Sequence, residues 1–271
     1  MSRAGFGDRM KDYEGREAQR RFLPLLPICV RIDGKRFSKW TRGLARPYDP
    51  RLSDLMVHTT VRLVEESGAR IGYTQSDEIS LVLYASDRRS QVYLDGRIQK
   101  LTSILASLTT AIFNHAARTA IPERADRPAL FDCRAWTVPT LEEAANALLW
   151  REIDATKNSL SMAARHHYDH GELHGAGREE LHERLHRAGV NWNDYPAFFK
   201  RGTFVQRRES RRAFTLEERA ELPEKHAAHQ DPDLQVVRAE VGAIEMPPFG
   251  SVTNRVAVVF DAAEPEVAGD G

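Results

Sequence analysis

Along residues 28–138 the apolar residues change their period in a set order, and that order leaves few folds open. Ile28-Cys29-Val30-Arg31-Ile32 is apolar and β-branched and is cut by Asp33-Gly34, so it reads as a strand entering a turn. Arg51 to Ser67 carries Leu52, Leu55, Met56, Thr59, Leu63 and Val64 at helical spacing and is closed by Gly68. Arg70 to Tyr73 is a short strand. The polar break Thr74-Gln75-Ser76-Asp77-Glu78 separates it from another strand, Ile79 to Tyr84. Ile98 to Ala117 is a long helix rich in Leu and Ala, and Ala129 to Val138 is a partly alternating strand. Strand, helix, strand, strand, helix, strand is the split βαβ, ferredoxin-like pattern of an α+β fold. Right-handed crossovers then make the first and third strands central, antiparallel neighbours. Asp33, ending the first, therefore lies beside Asp77 and Glu78, which start the third, although 44 positions separate Asp33 from Asp77.

The flanks are less regular. Phe6 to Phe22 reads as a charged amphipathic helix carrying Phe6, Met10, Tyr13 and Phe22, ended by Pro24 and Pro27. Pro139-Thr140 caps a helix from Leu141 to about residue 164. Residues 165–190 are polar and histidine-rich. Thr215 to Leu222 is a capped helix, with Glu218 three residues after Thr215, and Leu234 to Val241 and Arg255 to Phe260 are strand candidates. The sequence thus divides into an α+β part with its N-terminal helix over 1–139, a mixed helical and strand part over 140–260, and an acidic tail over 261–271 expected to be disordered.

Composition excludes whole classes. With 271 residues, 41% of them hydrophobic, the chain is long enough for a substantial core. No apolar run approaches the roughly 18–20 residues that span a bilayer. Phe22 to Val30 is short, holds two prolines and suits a buried strand better than a secretion signal, so the expected location is cytoplasmic. Cys29 and Cys133 are too few and too far apart for a disulfide framework or a zinc pattern. The 39 basic and 39 acidic residues cancel, so any nucleic-acid partner has to be met by a local patch.

Four constellations carry possible chemistry. In Arg31-Ile-Asp33-Gly34-Lys35-Arg36-Phe37-Ser38 with Ser76-Asp77-Glu78, converging acids repel unless a cation lies between them. Oxygen ligands suit Mg²⁺, and two such ions about 3.5–4 Å apart are the usual apparatus of nucleotidyl transfer. Gly34 permits close approach, and Lys35, Arg36 and Ser38 add charge and donors for phosphate. Alone, Asp-Gly is also an ordinary turn. Arg97 and Lys100 share one face at the start of the long helix, placed to assist a triphosphate or simply solvated. Lys200, Arg201, Arg207, Arg208, Arg211 and Arg212, interleaved with Phe198, Phe199, Phe204 and Phe214, suit an RNA backbone and unstacked bases, or a solvated strand. His166, His167, His170, His174, His182 and His186 include i, i+4 pairs but no thiolate and no His-Glu-x-x-His, so they read as surface histidines without a structural zinc. There is no Gly-x-x-x-x-Gly-Lys-Ser/Thr loop, no dinucleotide fingerprint in context and no Gly-x-Ser-x-Gly elbow.

These residues together resemble the tRNA-histidine guanylyltransferase superfamily, and within it a bacterial-type guanylyltransferase-like protein. The matching pieces run in order: Gly7-Asp8-Arg9-Met10-Lys11-Asp12-Tyr13-Glu14, Val30 to Phe37, Gln75-Ser76-Asp77-Glu78-Ile79-Ser80, Arg97-x-x-Lys100-Leu101, Phe131-Asp132-x-Arg134, Trp150-Arg151-x-x-Asp154, Asn158 and Lys200-Arg201-Gly202. The resemblance implies a polymerase-like palm with a helical second part, usually assembled as a tetramer. It implies two Mg²⁺ ions held by Asp33, Asp77 and the Gly34 carbonyl, with Glu78 supporting. It implies nucleotide binding by Asp33, Gly34, Lys35, Arg36, Phe37, Ser38, Ser76, Asp77, Arg97, Lys100 and Asn158. ATP adenylylates a tRNA 5′-phosphate, and the 3′-hydroxyl of an incoming nucleoside triphosphate, GTP or another, then displaces AMP.

One departure is visible. Eukaryotic members carry His-Ile-Asn-Asn where this chain has Thr156-Lys157-Asn158-Ser159. Threonine cannot titrate near neutral pH. The resemblance therefore favours templated repair of truncated tRNA 5′ ends over addition of an extra guanylate to histidine tRNA. Two other classes compete: a palm-fold nucleotide cyclase, which has no polynucleotide to hold, and a non-catalytic tRNA-binding module, which has no need of Asp33, Asp77 and Glu78.

Overall fold

The computed structural model describes residues 3–169 and 171–268. Its elements run α1 (Arg3–Ala18), β1 (Ile28–Gly34), α2 (Phe37–Trp40), α3 (Pro50–Ser67), β2 (Ile71–Gln75), β3 (Glu78–Leu83), α4 (Ile98–Ala120), β4 (Phe131–Thr137), α5 (Leu141–His167), α6 (Arg178–Arg187), α7 (Ala197–Arg201), β5 (Thr203–Ala213), α8 (Leu216–Glu221), β6 (Gln235–Ile244) and α9 (Arg255–Asp261). Local chemistry sets the boundaries. Asp49 caps α3 by accepting from the Arg51 N–H at 3.1 Å, Pro50 takes the first helical position, and Gly68 closes the helix at φ 63°. Thr140 caps α5, and Thr215 and Glu218 form the expected capping box on α8.

The strands form one antiparallel sheet in the order β4-β1-β3-β2-β5-β6. β1 and β3 are central neighbours, as the crossover argument requires. The alternation of β1 divides its side chains between two layers. Ile28, Val30 and Ile32 enter a core made with α3 and α4, while Cys29 faces α5 and α9. Burial pushes both the Cys29 and Cys133 thiols up to about 12. The C-terminal half of α5 makes a smaller core with α6 and Trp192. Among the described residues no helix is long and apolar enough to cross a membrane.

Three expectations are corrected. Arg255–Asp261 is a helix, not a strand: Val258, Val259 and Phe260 are buried beneath it, and tertiary packing overrides the β-branched preference. The tail does not leave the fold at Asp261. Val267 bridges Val252, and Asn254 donates to the Glu264 carbonyl at 2.8 Å and accepts from the Glu266 N–H at 2.9 Å; residues 269–271 lie outside the described residues. Finally, α1 ends at Ala18. Phe22 instead donates its N–H to the Gly96 carbonyl, and Phe6, Met10 and Tyr13 remain exposed.

The second half contributes β5 and β6 to the sheet, and the join depends on Gly202. It sits at φ 78°, and a Cβ there would stand 2.6 Å from both the Thr74 carbonyl and the Tyr73 hydroxyl. Tyr73 in turn donates to the Arg201 carbonyl at 2.7 Å. Gly202→Ala is expected to lower stability by on the order of 2 kcal/mol, read as a reduced urea midpoint at unchanged slope.

Candidate functional site

β1 delivers Asp33 to the sheet edge, paired in register with Glu78 on β3 and with Asp132 on β4. Asp77 stands in the two-residue turn between β2 and β3. Ser76, its neighbour, holds φ 53°, a left-handed conformation that such turns usually give to glycine. Ser76 Oγ lies 3.1 Å from Asp77 Oδ1. Gly34 is the contact point between the two acid-bearing segments. A Cβ at residue 34 would meet the Phe37 ring at 2.5 Å and Asp77 Oδ2 at 2.8 Å, so only glycine admits the Asp77 carboxylate here.

The acids are treated unequally. Glu78 receives a bidentate pair from Arg151 at 2.6 and 2.8 Å. Arg151 also donates to Asp154 at 2.9 Å and lies over the Trp150 ring. Asp132 accepts from Arg134 at 3.2 Å. Among the described residues no basic side chain forms an ion pair with Asp33 or Asp77. Burial, and then the neighbouring Asp33 charge, push the Asp77 carboxyl up to about 6. Two facing carboxylates without a counter-charge fit a divalent cation. No three His, Cys, Asp or Glu side chains converge as a ready-made cage among the described residues. That fits Mg²⁺, which commonly binds through one or two carboxylates together with substrate phosphates.

Beside Asp77 opens a cavity of about 270 Å³, walled by Ser38, Tyr48, Asp49, Ser76, Ser159 and Phe199 among others. Tyr48 is its aromatic hinge, with ring centroids of Phe199 at 4.8 Å, Phe198 at 5.2 Å and Tyr195 at 6.1 Å. The Arg51 guanidinium holds the Asp49 carboxyl below the usual carboxylate range.

The structure distributes the sequence candidates as follows. Lys35, Arg36 and Ser38 are exposed directly after Gly34, with Arg36 at φ 53°. Phe37 is a core residue, stacked on Trp40 at 5.0 Å. Asn158 Nδ2 lies 3.3 Å from Asp154 and joins the Arg151 network rather than the carboxylate edge. Arg97 and Lys100 are not brought to this edge. β3 runs away from Asp77, so α4 starts at the far end of the sheet. There Ile98 bonds to the Arg20 carbonyl and Arg97 bridges Arg21, and only the C-terminal part of α4, at Asn114, reaches the start of β4. At a 1.5 Å rise per residue the helix is about 34 Å long, and its first turn lies at the end of the sheet opposite Asp33.

The basic stretch splits by face. Arg201 approaches buried Glu152 at 3.9 Å, Arg208 pairs with Glu264, Arg212 with Glu218 and Glu240, and Lys200 lies over Trp192. Arg207 and Arg211 stand on the exposed face of β5. In the histidine-rich stretch, His166 packs edge-on against His167 and His182 against Trp192, while His170 lies outside the described residues. Sequence reading assigned no role to Arg151 or to the wall formed by Tyr48 and Asp49. The i, i+3 spacing of Arg151 and Asp154 on a helix was the available signal for the first; the second has none.

The geometry agrees with known proteins. Residues 7–139 match the family described as tRNAHis guanylyltransferase. The tRNA(His) guanylyltransferase of Schizosaccharomyces pombe is 31% identical over 215 residues, covering 72% of this chain and 77% of that protein. Among solved structures, a bacterial tRNA(His) guanylyltransferase (Thg1)-like protein in complex with ATP is 36% identical with a TM-score of 0.71, covering 74% of this chain and 88% of the other. A bacterial protein so described, in complex with GTP, is 30% identical with a TM-score of 0.66, covering 91% and 94%.

Asp77 makes stability depend on pH. An unfolded aspartate titrates near 3.9, whereas the folded carboxyl is held to about 6. Between these values the folded chain binds more protons, so stability falls as pH rises through that window and stays low above it. In chelated buffer, Asp77→Asn should therefore unfold at higher temperature than the wild type at pH 7, by an advantage on the order of 3 kcal/mol. That advantage should vanish near pH 4. Added Mg²⁺ should stabilise the wild type and leave the variant unmoved.

Proposed function

Because this chain belongs to the tRNA(His) guanylyltransferase family and so is a nucleotidyltransferase, we propose that it extends tRNA 5′ ends in the 3′-to-5′ direction by templated repair, after activating the end with ATP. The observation that carries the reading is the pair of uncompensated carboxylates, Asp33 and Asp77, packed on Gly34 beside the cavity next to Tyr48. We read the β4-β1-β3-β2 order as the ferredoxin-like palm expected of such an enzyme.

In this reading Asp33, Asp77 and the Gly34 carbonyl hold two Mg²⁺ ions, which when bound lower the pKa of an attacking hydroxyl and offset phosphate charge. Lys35, Arg36, Ser38 and the Ser76-Asp77 turn receive the triphosphate, and the cavity takes its nucleoside. Arg151 fixes the orientation of Glu78 through two hydrogen bonds, so that this residue shapes the field at Asp33. Arg207 and Arg211, on the open face of β5, attract the RNA backbone. The exposed Phe6, Met10 and Tyr13 of α1 support self-association into a homotetramer.

Thr156 supports repair over obligatory guanylate addition. It occupies the place of a histidine in eukaryotic members, and its hydroxyl donates to the Glu152 carbonyl one turn earlier at 3.0 Å. It offers no proton carrier. In templated addition, pairing with the opposite strand positions the incoming nucleotide, and positioning alone supplies several kcal/mol of the barrier.

Asp33→Ala and Asp77→Ala should each reduce both adenylylation and nucleotide addition by roughly 10²–10³ or more while circular dichroism stays unchanged. Near-normal turnover of either variant with Mg²⁺ would refute the two-ion assignment. The substrate choice is tested by competition under limiting enzyme. A tRNA lacking its first nucleotide should win over an intact histidine tRNA, and the nucleotide added should follow the opposing base when that base is changed. A higher kcat/KM for untemplated guanylate on the intact tRNA would reverse the assignment.

A further inference from the structure

On the sheet face that carries Asp33, two residues back along β1, Arg31 stands directly opposite Arg134 of β4. Like charges in directly paired positions destabilise a sheet. Arg134 has a single contact with Asp132, and Arg31 has no carboxylate within ion-pair distance among the described residues. Its guanidinium lies instead 5.6 Å from the ring centroid of Trp150, and that of Arg151 lies 4.6 Å from the same centroid. Trp150 remains 52% exposed, although the buried core surrounding α5 lies beside it. Trp136 closes the side of the same groove, a depression of about 490 Å³. Glu143 belongs to the rim, where it accepts from Asn146 at 2.9 Å.

An exposed indole with two arginines close to its ring suits neither a protein core nor a plain solvated surface. A cation–π pair at an exposed site yields only about 0.5–1 kcal/mol. That is a small return for opposing two arginines and leaving a tryptophan in water. Nucleic acid resolves both features: an unstacked base has a π-face for the indole, and its phosphate supplies the charge that Arg31 and Arg134 face. The depression has the volume of a small-ligand site. Two residues of strand separate Arg31 from Asp33, about 6.6 Å along β1, close to one nucleotide step.

We propose that this groove binds an unstacked nucleotide of the RNA substrate adjoining the reacting end, its base stacked on Trp150 and its phosphate held by Arg31 and Arg134. The assignment rests on the tRNA-acting reading above, and direct binding tests it separately from catalysis. The probe is a fluorescent, 5′-phosphorylated single-stranded oligoribonucleotide, with tRNA as a second ligand, followed by anisotropy. Trp150→Ala should raise Kd for both RNAs about ten-fold, and Trp150→Phe should restore most of the affinity. Arg31→Gln should weaken binding and lower the slope of log affinity against log salt by about 0.7, one contact's share for a single strand. KM for ATP should stay within two-fold in Arg31→Gln and Trp150→Phe.

Unchanged RNA affinity in Trp150→Ala and Arg31→Gln would overturn the proposal. So would unchanged RNA affinity with a raised KM for ATP, which would give the groove to free nucleotide. If Trp150→Ala fails to fold, the salt slope of Arg31→Gln and the affinity of Trp150→Phe decide. A chain that binds RNA as expected but transfers no nucleotide would refute the templated-repair reading and leave the groove standing.

Discussion

The antiparallel register that sets Asp33 against Glu78 is the constraint around which this molecule is arranged. It gathers carboxylates at one sheet edge, and a one-residue slip would send each of them to the opposite face. The surrounding side chains deal with that charge selectively. Glu78 is clamped by Arg151, and Arg151 is braced by Asp154 and Trp150. Asp132 has Arg134. Among the described residues Asp33 and Asp77 have no basic partner, and Asp77 answers by holding its proton to higher pH than a free carboxyl would. The arginines thus go to Glu78 and Asp132, and the Asp33–Asp77 pair keeps its mutual repulsion.

Much of this was legible in the sequence, because period and punctuation are local. The break at Asp33-Gly34, the helix closed by Gly68 and the Thr215–Glu218 capping box each read correctly from a few residues. Topology followed from crossover handedness and brought Asp33 to Asp77. Where the structure places residues differently from the sequence reading, the physical origin is common. Arg97 and Lys100 share a helical face with the right charge, but a face does not say which end of a 23-residue helix meets the site. Residues 255–260 look like a strand because Val and Phe favour one, yet burial against α5 and Phe249 makes them helical. The tail reads as disordered from its composition, while Asn254 holds it by backbone contacts that composition does not encode.

The basic stretch shows why charge counts mislead. Lys200 to Arg212 looks like one RNA-binding patch, but strand alternation and local acids sort it into structural and exposed members. Arg208 and Arg212 bind the fold to itself through Glu264, Glu218 and Glu240. Conversely, Arg31 and Arg134, separated by about a hundred residues, form a charged surface that no window of sequence displays.

The tight seat of Gly202 has a mechanical meaning. Residues 200–202 are fastened on two sides. Tyr73 bonds to the Arg201 carbonyl, and Ser159 Oγ lies 3.2 Å from that of Lys200. The residue that would strike a side chain at 202 is Thr74, and its hydroxyl holds the Glu78 carbonyl at 3.0 Å, across the turn that carries Asp77. A rigid load path therefore runs from the base of the β5–β6 arm into the acid-bearing turn. The arm is thus tied to the acid-bearing turn through a short series of hydrogen bonds and close contacts, with no loop between them.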